Sequence, residues 1–219
     1  MINNEAVSST DNTKGMAEFF GKVYGLLSLA VLSSAIVSFW VAKTHPHAVY
    51  AHPILVAIVF IGSLLLSQAT RSIPGINLLT LLLFTGMNGL MLGPMIAMYL
   101  HATWGPAVLA EAFLTTFVIA ISLSAYVFIS KKNFSVMGQF LFTGLMSGLV
   151  ASIVQIFWHP LIFREVLSNL LVLLFSGFIL YDTSEARTNW EKMNPLDVVI
   201  SLFLDLDNIF INLLRLMED

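Results

Sequence analysis

Acidic and amide side chains lie inside the last long apolar run of this 219-residue sequence, which extends from Asp197 to Met217. A helical repeat of about 100° per residue brings six polar residues into one arc of roughly 80°. They are Asp197, Ser201, Asp205, Asn208, Asn212 and Arg215. Two mid-helix aspartates cost about 5–7 kcal/mol on insertion into lipid, and about thirteen Val, Leu, Ile and Phe residues return roughly 4–8 kcal/mol. The free energy of inserting this helix into lipid is therefore close to zero, so we expect the helix to lie inside a bundle. Ionisable groups buried in this way are candidates for a functional site.

Asp182 is the second carboxyl group that could take part in this chemistry, because it ends the sixth apolar run shortly before the seventh begins. Asp205 lies about eight residues into the seventh run, or about 12 Å at 1.5 Å per residue. Asp182 reaches a similar depth if the sixth helix continues a turn or two past it, toward Arg187. Two carboxyl groups held together out of water favour sharing one proton, because two negative charges would repel each other. We therefore predict a pH-sensing pair, although a carboxylate that caps a loop or bonds Thr183 at the interface fits Asp182 equally well.

Further polar residues could complete a gate and an ion path around this pair. Arg71 closes the second apolar run and could pair with whichever carboxyl group is charged, but a snorkelling arginine that marks the cytoplasmic face fits as well. Asp207 lies off the polar stripe and could line the same cavity or bond a neighbouring helix. Carboxylate and amide oxygens suit a hard cation such as Ca²⁺. The predicted site is Asp182, Asp205 and Arg71 as pH sensor and gate, with Asp207, Asn208 and Asn212 along a possible ion path.

The composition is that of a polytopic membrane protein. Hydrophobic residues make up 58% of the chain and charged residues only 11%, whereas soluble domains carry about 25% charged residues. The net charge of −3 argues against a nucleic-acid partner, and a sequence with no cysteine excludes disulfides and zinc-thiolate sites. Spacings typical of a metal motif, a nucleophilic triad or a phosphate-binding loop are missing from the sequence. We therefore predict no catalytic residue, no resident metal and no cofactor.

Seven apolar runs have about the length needed to cross a bilayer, which is about 17–25 residues. The runs are Lys22–Ala42, Pro53–Thr70, Ile76–Leu100, Pro106–Ile129, Phe134–Trp158, Glu165–Asp182 and Asp197–Met217. Short connections that contain Pro, Gly, Asn or Lys separate them. The sequence thus predicts an all-α membrane protein, a bundle of seven transmembrane helices formed by residues 21–219 as one domain. Residues 1–20 are polar and predict a disordered cytoplasmic tail.

The distribution of basic residues predicts how the bundle is oriented. With the N-terminus inside, about seven of the Lys and Arg residues are cytoplasmic and three lie on the far side, as the positive-inside rule requires. Small residues recur at Gly89-x-x-x-Gly93 and Gly144-x-x-x-Gly148. This spacing is typical of helices that approach each other closely.

Four segments carry a resemblance to a known family. They are Phe84-Thr85-Gly86-Met87-Asn88-Gly89 with Leu92-Gly93-Pro94; Ser124-Ala125-Tyr126 with Ser130-Lys131-Lys132-Asn133-Phe134-Ser135; Tyr181-Asp182-Thr183; and Ser201-Leu202-Phe203-Leu204-Asp205 with Asn208-Ile209-Phe210-Ile211-Asn212-Leu213-Leu214-Arg215. In order and spacing they resemble the Bax inhibitor-1 family and, within it, a bacterial inner-membrane YccA-like branch. The resemblance implies seven helices with the last at the centre and a pH-sensitive calcium leak governed by an aspartate pair. By position that pair corresponds to Asp182 and Asp205, with Arg71 as the arginine that engages it.

Three functions follow as competing predictions. The first is a pH-sensitive leak for Ca²⁺ or another cation in the bacterial inner membrane. The second, implied by the YccA-like resemblance, is a modulator that binds the membrane AAA protease FtsH, with residues 1–20 as the contact. The third is an intramembrane aspartyl protease, because Tyr181-Asp182 and Asp205 lie on successive helices. The second aspartate follows Phe203-Leu204 and not Gly-x-Gly, so the sequence favours a protein that is not an enzyme.

Overall fold

A computed structural model describes residues 2–47, 49, 52–157 and 161–217. Within these residues the chain forms seven long α-helices and one short 3-10 turn, Ser135–Met137, and contains no strand. The helices are α1 (Ile2–Thr44), α2 (Pro53–Ala69), α3 (Ile76–His101), α4 (Gly105–Ser130), α5 (Gly138–Phe157), α6 (Leu161–Asn189) and α7 (Pro195–Leu216). The prediction of an all-helical, seven-helix membrane protein is confirmed.

Five of the described helices are long and apolar enough to cross a membrane, judged by length and composition. These segments are Asn12–Thr44, Ile76–His101, Gly105–Ser130, Ser135–Gln155 and Ile162–Asn189. The apolar helix α2 is shorter, with 17 residues. Their outward side chains are apolar, as Ile36, Phe140 and Leu173 show with exposures of 60%, 73% and 70%. A large apolar surface of this kind is what a lipid-facing protein presents.

Local signals in the sequence set where the helices begin and end. Proline, whose fixed φ suits the first helical turn, starts both α2 and α7. Asn194 caps α7, because its Oδ1 accepts a hydrogen bond from the Leu196 N–H at 3.0 Å. Lys131 ends α4 in the left-handed region at φ 53°. Each of these residues lies at a boundary that the turn signals predict to within a few residues.

Two helices extend beyond the predicted apolar runs. α6 continues past Asp182 to Asn189, which is the continuation that a deeply placed Asp182 requires. The backbone of α1 is helical from Ile2, where the sequence predicts a disordered tail. Phe19 is buried and its ring lies 6.4 Å from that of Trp190, so aromatic packing supports the helix before the apolar run begins. The division into a tail and one bundle domain stays a prediction.

The chain folds into two compact units. The first contains the residues up to Ala97 together with Asn189–Ile200. Within it α1 and α3 pack closely, because a Cβ at Gly89 would overlap the carbonyl oxygen of Ser34 and one at Gly93 would overlap Val41. The predicted close approach at this glycine pair is confirmed.

The second unit contains Met98–Thr188 together with the residues from Ser201 onward. α5 and α6 pack against each other here through the second glycine pair. A Cβ at Gly144 would lie 2.7 Å from Leu174 Cδ1, and one at Gly148 would lie 2.9 Å from Leu171 Cδ2. The contact between these two helices is therefore also set by small residues at a spacing of four.

α7 is enclosed along nearly its whole length. Every residue from Pro195 to Leu214 is buried or half-buried, and Arg215 is the single exposed residue of the helix. A lipid-facing helix would instead expose an apolar side. This burial is what the sequence predicts for a helix whose polar stripe makes insertion into lipid close to neutral.

Candidate functional site

Asp182 lies near the end of α6, where the surrounding side chains are tightly packed. Ile179, Thr183, Ser184 and Ala186 are each at most 1% exposed, and Asp182 itself is half-buried. The additional turns of α6 beyond Asp182 keep this aspartate inside a helix, not in a terminal loop. The loop-cap alternative for Asp182 therefore does not describe its backbone.

The connection between α4 and α5 holds the end of α6 in place. The Phe134 N–H donates to Ser184 Oγ at 2.9 Å. Arg187 Nη2 donates to the carbonyl oxygens of Lys131 and Lys132 at 3.1 and 3.0 Å. Lys131 and Lys132, which the sequence assigns to a cytoplasmic loop, thus anchor the turn of α6 that follows Asp182.

Asp205 lies in the buried middle of α7, and its side chain meets that of Asp182. Asp205 is 4% exposed, and the two carboxyl groups lie close enough to interact. Two carboxyl groups held together away from water favour sharing one proton, because two negative charges there would repel each other. The two aspartates are thus neighbours, and their role as a pH-sensing pair stays a prediction.

The polar face of α7 presents acceptor oxygens to the interior. Asn208 Nδ2 donates to the Leu204 carbonyl and Asn212 Nδ2 donates to the Asn208 carbonyl, both at 2.8 Å. The amide donors are therefore used within the helix. Asp205 Oδ2 and Asn212 Oδ1 are buried and accept no hydrogen bond from an N–H or hydroxyl donor of the described residues. Buried oxygen atoms without donors suit a cation or a proton better than an anion.

Glu185 is an acidic neighbour that the sequence analysis does not single out. It lies one helical turn after Asp182, near enough for the two charges to interact. Ser135 Oγ donates a 2.5 Å hydrogen bond to Glu185 Oε2. The spacing of three residues from Asp182 is the signal that could have found Glu185, but the predicted sixth run ends at Asp182. The predicted ion-path residue Asp207 is half-buried on α7.

A cavity of about 570 Å³ opens beside this acidic cluster. It is lined by Ser135, Gly138, Gln139, Phe142, Thr143 and Tyr181. Tyr181 precedes Asp182 in the chain, and Ser135 binds Glu185. The cavity therefore lies next to residues that contact the carboxyl cluster, and its mixed polar lining admits water.

Arg71, the third predicted gate residue, is bound to Asp197. Arg71 Nη1 donates to Asp197 Oδ1 and Oδ2, each at 2.8 Å, and the two side chains are 48% and 31% exposed. The amides of Asn77 and Asn194 donate to the Arg71 carbonyl oxygen at 3.3 and 3.2 Å. This ion pair is not among the sequence predictions, because either residue could have had another partner. A role for Arg71 beside the aspartate pair stays a prediction.

The His, Cys, Asp and Glu residues in the described part of the chain are the candidates for a resident metal site. No group of three or more His, Cys, Asp or Glu residues lies close enough to hold a metal ion there. The carboxyl groups of Asp182, Asp205 and Glu185 are not among such groups.

In a comparison with known proteins, residues 16–219 match the family described as inhibitor of apoptosis-promoting Bax1. A membrane protein of Vibrio cholerae is 34% identical over 210 residues, which cover 96% of this chain and 93% of the relative. The modulator of FtsH protease YccA of Escherichia coli is 31% identical over 212 residues, 96% of this chain and 94% of the relative. Protein lifeguard 4 of the mouse is 31% identical over 208 residues, 91% of this chain and 84% of the relative.

Proposed function

This chain belongs to the Bax inhibitor-1 family of membrane proteins, and we propose that it is a pH-sensitive cation leak whose gate is the carboxyl pair Asp182 and Asp205. One observation carries the proposal: the two carboxyl groups lie close enough to interact on successive helices, with Asp205 buried and Asp182 half-buried. Such a contact holds only while a proton is present. The proton is therefore a structural element of the closed state.

Loss of that proton is the proposed opening step. With both carboxyl groups ionised, two negative charges face each other where water screens them poorly, and their repulsion grows as the local dielectric falls. Asp182 and Asp205 are carried by α6 and α7, so repulsion separates these two helices. Flux accordingly increases as the pH rises.

The ion path proposed beyond the gate consists of oxygen atoms. Asp205 Oδ2 and Asn212 Oδ1 are buried without protein donors, and seven residues of helix, about 10.5 Å, separate their Cα positions. The cavity beside Tyr181 and the charge of Glu185 provide an entrance that attracts cations. Ca²⁺ is the proposed ion because hard divalent cations prefer carboxylate and amide oxygens. Neither catalysis nor a cofactor is part of this proposal.

Calcium flux into liposomes tests the proposal. Purified protein is inserted into vesicles loaded with a Ca²⁺ dye, and flux is measured from about pH 5.5 to 8 for the natural chain and Asp205→Asn. A titrating pair changes its ionised fraction up to about tenfold per pH unit, so we expect flux of the natural chain to rise roughly tenfold across the range. Asp205→Asn cannot ionise at this position and should show less than about twofold change.

The matched control is Glu165→Gln, which removes an exposed carboxylate from α6. We expect it to keep the natural pH profile. An unchanged profile in Asp205→Asn would refute the gate. If correctly inserted natural protein gives no flux at any pH, the leak itself is wrong.

A second candidate function is modulation of an FtsH-type protease. The supporting observation is the 31% identity with the Escherichia coli relative that bears that name. α1 also extends 20 residues ahead of the predicted apolar run, and its described residues Asn12, Thr13 and Lys14 are exposed. With the N-terminus cytoplasmic in a bacterial inner membrane, as the basic residues predict, this extension is available to a membrane protease.

Deletion of residues 1–12 tests the second function. The truncated chain should lose co-purification with the protease, whereas Asp205→Asn should keep it, because the aspartate pair lies inside the bundle. Equal recovery of the protease with the full and truncated chains would rule out this tail as the contact. The two functions are thus separated by two different alterations of the same protein.

A further inference from the structure

A groove in the first unit carries two cations that the proposed function does not use. It has a volume of about 730 Å³ and lies between the first part of α1, the turn after α2 and the start of α7. Lys22 and Arg71 line it, and no acidic residue is among its lining residues. Asp197, which is bound to Arg71, is not a lining residue. The groove therefore offers positive charge to an occupant.

Hydrogen bonds orient both the backbone and the side chain of Arg71 at this groove. Two asparagine amides bind its carbonyl oxygen, and Asp197 binds Nη1 of its guanidinium group. The hydrogen bonds described for its side chain use Nη1 alone. The N–H groups of Nε and Nη2 can therefore donate to an occupant of the groove. A guanidinium group presents several donors in one plane, so Arg71 can bind Asp197 and an oxyanion together.

The spacing of two lysines on α1 fits a groove at the level of a lipid headgroup. Lys43 follows Lys22 on α1 by 21 residues, which corresponds to about 31 Å of helix. This length matches the roughly 30 Å hydrocarbon core of a bilayer, as expected if the apolar run predicted from Lys22 to Ala42 crosses it. On the apolar side of Lys22 the groove continues along Leu26 and Leu29, and Leu29 is 46% exposed.

Two glycines keep the groove open. Gly21 and Gly25 lie one helical turn apart on its wall, and a Cβ added at either would meet no atom within 4 Å. The unoccupied space therefore begins at the backbone of α1. A side chain at Gly25 would begin in this space, because its Cβ would meet no protein atom within 4 Å.

From the charge, the level and the shape of this groove, we propose that it binds one anionic phospholipid. The phosphate group lies between Lys22 and Arg71. An acyl chain follows Leu26 and Leu29 and passes over Gly21 and Gly25. A soluble phosphate would use the two cations but not the apolar extension. The exposed leucines that continue the groove therefore favour a lipid as its occupant.

Native mass spectrometry of the purified full-length chain tests this site. The protein in detergent is titrated with phosphatidylglycerol and with phosphatidylcholine of the same acyl chains. An anionic lipid gains roughly fivefold in affinity from each basic residue near its headgroup, so we expect at least a fivefold preference for phosphatidylglycerol. Lys22→Gln should reduce that preference about fivefold, and Gly25→Leu should remove the bound lipid while leaving both cations in place.

Two matched variants distinguish a specific site from general lipid association. Gly62→Leu adds the same side chain at another helical glycine with no atom within 4 Å, and Lys43→Gln removes a lysine from the other end of α1. Both should retain the preference. Equal binding of the two lipids, or equal losses in all four variants, would overturn the proposal. Displacement of the lipid by millimolar glycerol 3-phosphate would also overturn it, because the site would then be one for a soluble anion.

Discussion

Asp197 and Asp205 lie on the same helix, eight residues apart, yet they have opposite kinds of partner. Asp197 is 31% exposed in its side chain and binds the guanidinium group of Arg71. Asp205 is 4% exposed and has the carboxyl group of Asp182 as its neighbour. The first contact requires two opposite charges, whereas the second requires a proton.

The difference shows that surroundings, not residue type or helix position, decide what an aspartate does. An ion pair in contact with solvent is screened by water and salt and contributes about 0–1 kcal/mol. A buried carboxyl pair has little solvent to stabilise a second negative charge, so its contact depends on pH. One end of α7 is therefore held by an ordinary surface ion pair, and its middle carries the proposed switch.

The largest expected effect comes from replacing the shared proton by a permanent donor. Asp182→Asn supplies an amide donor to Asp205 at every pH, so the contact should persist and the path should stay closed. At pH 8 we expect Ca²⁺ flux about tenfold below that of the natural chain, measured in the same liposomes. The double variant Asp182→Asn with Asp205→Asn should show no further loss of pH dependence, because both residues act as one unit. Additive effects of the two substitutions would mean that the carboxyl groups act independently.

A smaller effect is expected further along the polar face of α7. Asn212→Leu removes the buried Oδ1 and should reduce flux roughly two- to fivefold at pH 8, because the path loses a cation ligand. The pH profile should keep its shape, since the gate is untouched. Asn169→Leu is the matched control, because Asn169 makes the same kind of hydrogen bond to the carbonyl four residues earlier but is exposed. Equal flux in both variants would remove Asn212 from the path.

The smallest effect is expected at the exposed ion pair. Arg71→Gln should lower the free energy of unfolding by less than about 1 kcal/mol, or less than about 4 °C in thermal midpoint. The loss should shrink in about 1 M salt, where the screening length is about 3 Å. A double-mutant cycle with Asp197→Asn measures the coupling. A coupling above about 2 kcal/mol, or one that salt leaves unchanged, would show that this pair is more than a surface contact.

Much of the helical architecture can be predicted from the sequence alone. Apolar runs of spanning length and the prolines at 53 and 195 determine where helices form and begin. The spacing of Gly89 and Gly93 predicts a close helix contact, which the structure confirms against α1. These features depend on neighbours a few residues away, so a local pattern is enough to identify them.

The candidate site is only partly visible in the sequence. The polar stripe of α7 and the depth of Asp205 follow from helical periodicity, and Asp182 is a natural partner if α6 is long enough. The sequence leaves that length open, because residues 183–189 are polar and do not extend the apolar run. The structure shows that backbone and guanidinium contacts to the loop before α5 keep this segment helical.

What the sequence determined by itself is the set of helices, the small-residue contacts and the helix that carries buried charge. What only the tertiary structure decided is the pairing of those charges. Arg71 and Asp197 are 126 residues apart in the chain, and Glu185 joins the acidic cluster only because α6 continues beyond Asp182. Hydrophobic periodicity is a local property and can be read along the chain, whereas the partner of a charge depends on which distant side chains packing brings within a few ångströms.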